Sequence, residues 1–177
     1  MNASRRHFWI LSTLIIFSSA CAENVPATDG PLHALGDRVQ LINNTTNIIA
    51  AQLKIVSVDE AQSNSLKDDT RIAGYPIDGK LITLSPSDSA LIKNTLLNDA
   101  EYVTPLIRCA NKTFYGIRFL ANNDKIEFAL GKPCNQVIWA FRGINAPEQW
   151  GSVMNGQQAD KIISIIKRKQ VSPIKLY

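Results

Sequence analysis

The apolar positions of this chain keep two different rhythms. Between Thr113 and Phe141 they alternate: Tyr115, Ile117 and Phe119 share one side of an extended segment, Ile126, Phe128 and Leu130 one side of the next, and Val137, Trp139 and Phe141 one side of a third. Period two marks strands with one buried face, so three consecutive strands are expected, the first two joined by the turn-forming "NND". Towards the carboxyl end the rhythm changes. In "NGQQADKIISIIKRKQ", Ala159, Ile162, Ile163 and Ile166 recur every three or four residues, which predicts a helix with one buried stripe. Lys167, Arg168 and Lys169 fall in its last turn, where cations suit the helix dipole.

A second helix is expected in "SPSDSALIKNTLLN". Ser85 can cap it, Pro86 fits the first helical position, and Asp88 sits in the positive first turn. "DRVQLI" and "TNIIAAQLKIVSV" are rich in Val and Ile and read as strands, separated by "NNTTN". "RIAGYPIDGKLITLS" reads as two short strands turning at Asp78 and Gly79. Residues 59–70 read as a polar surface loop, and Leu106 to Cys109 as a lead into the sheet. The expected architecture is α+β, an antiparallel meander packed against two helices.

The amino end predicts a compartment. Arg5 and Arg6 precede the apolar run from Phe8 to Phe17, and "SSACA" follows, the order of a secretory signal that is too short to span a bilayer. The chain therefore divides into a signal peptide over 1–22, a flexible arm over 23–36 and a single domain over 37–177. "SRRHFWI" resembles the start of a twin-arginine signal, from which Trp9 and Ile10 depart, and the run also suits the general secretory route. "SSAC" resembles a lipoprotein box that would lipidate Cys21, with Ser18 where leucine is usual; "ACA" offers instead a cleavage site after Ala22. The expected location is periplasmic, or alternatively the outer membrane as a lipoprotein, with membrane contact only through that anchor.

Export changes how the cysteines are read. With Cys21 processed, Cys109 and Cys134 form an even pair bound for an oxidising compartment, and a disulfide between them is expected. Loss of Arg5 and Arg6 with the leader leaves 17 basic against 15 acidic side chains, which gives no electrostatic case for nucleic acid. The 45% hydrophobic and 19% charged composition is that of a folding chain.

Candidate chemistry is sparse. His33 is the only histidine of the mature chain and lies in the expected arm, so neither a triad nor a metal site is expected, and no glycine-rich phosphate loop or other cofactor motif occurs. Asp99 and Glu101 are the carboxylates that a glycosidase-like hydrolase could use. Trp150, in the expected loop "INAPEQWGS", and the basic Lys167, Arg168 and Lys169 are candidates for a binding surface.

"GYPIDGKLITLSPSDSALIKNTLLNDAEYV", with "RC", "YGIRF" and "KPCNQVIW" after it, resembles a pattern in small exported bacterial proteins of unassigned function, over residues 72–142. That resemblance implies one compact disulfide-bearing domain and brings no catalytic residues with it. The expected function is that of an exported envelope protein that binds another envelope protein or a glycan without catalysis. The alternative is a small periplasmic hydrolase working with carboxylates.

Overall fold

The computed structural model describes residues 30–103, 109–121, 124–144 and 147–171. In chain order these form α1 (Pro31–Leu35), α2 (Arg38–Asn44), β1 (Asn47–Leu53), α3 (Val58–Ser63), β2 (Arg71–Ile72), β3 (Tyr75–Thr83) and α4 (Pro86–Leu96). A 3-10 turn (Asp99–Glu101), β4 (Tyr102–Val103), β5 (Thr113–Ala121), β6 (Asp124–Lys132), β7 (Gln136–Arg142), β8 (Pro147–Met154) and α5 (Gly156–Val171) follow. The strands make one sheet of eight in the order β2-β3-β1-β5-β6-β7-β8-β4. Every pairing is antiparallel, and β5 to β8 run as the expected meander. The fold is α+β.

The alternating positions do what their period demands. Tyr115, Ile117, Phe119, Ile126, Phe128, Leu130, Val137, Trp139 and Phe141 are all buried in one cluster on one sheet face. Trp139 stands at its centre, edge-on to Phe128 at 5.0 Å and stacked with Phe119 at 6.2 Å. Ala159, Ile162, Ile163, Ile165 and Ile166 of α5 pack onto that cluster, with Ile92 and Leu96 of α4. Leu35 of α1 and Ile42 of α2 join them, so four helices rather than the expected two contribute to this core. The opposite face carries smaller residues, Ala51, Ala129 and Ala140, with Leu53, Phe114 and Ile138. Ala61, Ile72, Ala73 and Tyr75 complete this second cluster.

The strand expected at "DRVQLI" is the helix α2, and part of the expected arm is the helix α1. Leu35, Val39 and Ile42 are spaced by four and three, a helical stripe divided between two segments that were each too short to display it. Gly30–Gly36 is accordingly part of the folded domain, with Leu35 fully buried. The polar loop expected over 59–70 begins instead within α3, whose cap is Ser57 accepting the amide of Glu60 at 3.1 Å. That Ser-x-x-Glu spacing was the sequence signal for it.

The turn expected at Asp78-Gly79 lies at Ala73-Gly74, where Ile72 pairs with Tyr75 and both turn residues have positive φ, 49° and 83°. Gly74 passes so close to α3 that a Cβ there would meet the Ala61 carbonyl oxygen at 1.8 Å. Asp78-Gly79 instead sits inside β3, where the β1–β3 register slips between Ala50 and Gln52, forming a bulge. Cys109 and Cys134 are bridged, Cα to Cα 5.7 Å, joining the approach to β5 with the β6–β7 turn.

Candidate functional site

Most of the charged side chains singled out from the sequence hold the fold together. Asp99 accepts the Leu32 amide at 3.1 Å, fastening α1 to the 3-10 turn. Glu101 accepts from Gln158 of α5 at 3.1 Å. The pair thus tethers two helices to the 3-10 turn.

The basic cluster is similarly committed. Arg168 and Lys169 reach Asp88 of α4 at 2.8 and 3.4 Å, tying the carboxyl end of α5 to the amino end of α4. Ser85 and these cations hold the Asp88 carboxyl below its usual range. Lys167 lies over the Tyr115 ring at 5.6 Å. Trp150 lies in β8 rather than in a loop, faces Trp139 in register on the core side, and meets Tyr102 edge-on at 5.5 Å. It is half-buried against the main core. Cys21 lies outside the described residues.

Two buried charges escaped sequence reasoning because each occupies an ordinary alternating position. Arg118 of β5 and Glu127 of β6 oppose one another in register, with Nε to Oε1 at 2.7 Å. The guanidinium also donates to the carbonyls of Asp68, Asp69 and Arg71, while Glu127 accepts the Ala73 amide at 2.6 Å. The pair clips the 68–73 segment onto the second sheet face. Burial pushes the Glu127 carboxyl up, and Arg118 and the Ala73 amide oppose that shift.

A cleft opens where the sheet comes apart. The β5–β6 ladder continues to Ala121 and Asp124, but the β6–β7 ladder stops at Glu127 and Ala140. Phe141 and Arg142 go on pairing with β8 alone. Arg38 ties α2 to the end of β7: its guanidinium lies 4.8 Å over the Phe141 ring and donates twice to the Arg142 carbonyl, at 3.0 and 2.6 Å. Lys93 anchors the other end of α2, donating to the carbonyls of Asn43 and Thr45 at 2.9 and 2.6 Å. Thr45 in turn donates to the Leu120 carbonyl.

The resulting cleft has a volume of about 700 Å³. Leu41, Leu120 and Ala121 give it apolar surface; Asn44, Thr45, Thr46, Asp124 and Arg142 line the rest. Among the described residues, no three His, Cys, Asp or Glu side chains gather as a metal ion would require. Nor is any described helix long and apolar enough to cross a membrane. Comparison with family models, with curated proteins and with solved structures finds no match to the chain.

Proposed function

We propose that this chain is an exported envelope protein that binds a partner without converting it. On this reading it is a single α+β domain, released into the periplasm by cleavage after Ala22 or held at the outer membrane through lipidated Cys21. The observation that carries the reading is a division of labour among polar side chains. Asp99 and Glu101, the residues a carboxylate hydrolase would use, are engaged with the Leu32 amide and with Gln158. Asn44, Thr46 and the Arg142 guanidinium line the cleft without a hydrogen bond or ion pair to any described residue. A concave site of this size with a few uncommitted polar groups suits recognition. The Cys109–Cys134 bridge is compatible with an oxidising compartment.

The test combines the purified mature protein with cell-wall fragments and peptides and follows both binding and turnover. Binding without product is the expected result. Turnover that disappears in Asp99→Asn or Glu101→Gln, with the circular dichroism spectrum unchanged, would overturn the reading in favour of a carboxylate hydrolase.

A further inference from the structure

The parted end of the sheet specifies more than a generic cleft. Its lining offers charge of both signs: Arg142 supplies a guanidinium, and Asp124 a carboxylate that accepts the neighbouring Lys125 amide at 2.9 Å. Leu41, Leu120 and Ala121 supply aliphatic surface beside them. Asn44 and Thr46 add neutral groups able to donate and accept. Of the β6 residues beyond the β6–β7 ladder, Asp124 reaches the cleft, whereas Ile126 is buried in the main core.

We infer that this cleft binds a small zwitterion, an amino acid or a short peptide, through its carboxylate and its ammonium together. A guanidinium recognises a carboxylate in a planar, two-pronged fashion, and a carboxylate oxygen accepts from an ammonium. A monoanion satisfies Arg142 alone and leaves Asp124 facing an apolar group; a neutral sugar can hydrogen-bond to both but compensates the charge of neither. Leu41, Leu120 and Ala121 then favour an aliphatic side chain beside the two charged groups. This assignment rests on the binding reading above and names the chemistry of the ligand.

Amide-shift titration of the mature, disulfide-closed, nitrogen-15-labelled protein tests it. The probes are leucine, the dipeptide leucyl-alanine, leucinamide without the carboxylate, isocaproate without the ammonium, and N-acetylglucosamine. Saturable shifts at Thr45, Thr46, Leu120 and Ala121 are expected with leucine or the dipeptide, and not with either singly charged analogue. Tighter binding of leucine points to free amino acids, and tighter binding of the dipeptide to peptides. Arg142→Ala and Asp124→Asn should each weaken binding at least about tenfold.

Equal binding of isocaproate, or an Arg142→Ala protein that binds as before, overturns the inference. Saturation by N-acetylglucosamine and not by the zwitterions overturns the ligand class and leaves the binding reading standing. Release of free leucine from the dipeptide overturns the non-catalytic reading and leaves the site standing.

Discussion

Arg118 and Glu127 meet at 2.7 Å across β5 and β6, with 2% and none of their side-chain surface exposed. A buried ion pair is not itself strong evidence of stability, because desolvation offsets much of the attraction. Breaking one is costly, since it strands a charge. Glu127→Gln should therefore destabilise the fold by roughly 3–5 kcal/mol, and an Arg118→Met, Glu127→Leu double variant should recover much of that loss. Urea unfolding of the three proteins measures both effects. A single variant as stable as the parent would show that the clip on the 68–73 segment is dispensable.

Asp88 predicts a pH dependence with a definite sign. Its carboxyl is held below the usual 3.8 by Ser85, Lys169 and Arg168, so the folded state binds its proton less readily than the unfolded chain. Its contribution is present above 3.8 and is lost as pH falls through the lowered folded value. Arg168 is largely exposed, which limits the effect to about 1 kcal/mol. Asp88→Asn should be less stable than the parent at neutral pH and should converge with it in strong acid. Glu127, whose carboxyl is shifted in the opposite direction, is present in both proteins, so the difference between them isolates Asp88.

The meander was legible in the sequence because the large apolar residues of each strand alternate, while the opposite face, also buried, carries smaller or polar residues such as Ala129, Ala140 and Glu127. The α5 stripe was legible because Ala159, Ile162, Ile163 and Ile166 recur at helical spacing; the structure adds Ile165 to the buried set. α2 was not, since Val39 and Ile42 acquire a helical phase only when Leu35 is counted with them. At Asp78-Gly79 a strong turn dipeptide was used to make a bulge, while the tighter turn fell to Ala73-Gly74. Nothing local marked the cleft. It arises where two ladders end at different points, a property of register between strands distant from α2 in the chain.

Gly74 is a sharp test of that corrected turn. At its φ of 83°, a Cβ on Gly74 would lie 1.8 Å from the Ala61 carbonyl oxygen, so there is no space for one. Gly74→Ala should cost roughly 1–3 kcal/mol in thermal or urea unfolding, whereas Gly79→Ala, with open space around it, should lose only the backbone component of about 1 kcal/mol. Equal losses at the two positions would argue against the close packing of α3 on the β2–β3 turn.

The Cys109–Cys134 bridge closes a loop with a sequence separation of 25, for which chain entropy gives about 3.5 kcal/mol. A Cys109→Ser, Cys134→Ser protein should lose stability of that order. Asn111 also holds the same corner, accepting the Cys134 amide at 3.2 Å and donating to Gln136 at 2.8 Å. The native sheet should therefore survive the substitution, with its circular dichroism spectrum retained below the lowered melting point.

The central claim, an exported and disulfide-closed binding protein, meets its most direct test in intact mass spectrometry of the chain recovered from its native cell envelope, with and without reduction. The account predicts a mass beginning at Glu23, or at Cys21 with added acyl chains, that gains two hydrogens on reduction. A mass beginning at Met1 and unchanged by reduction would contradict it.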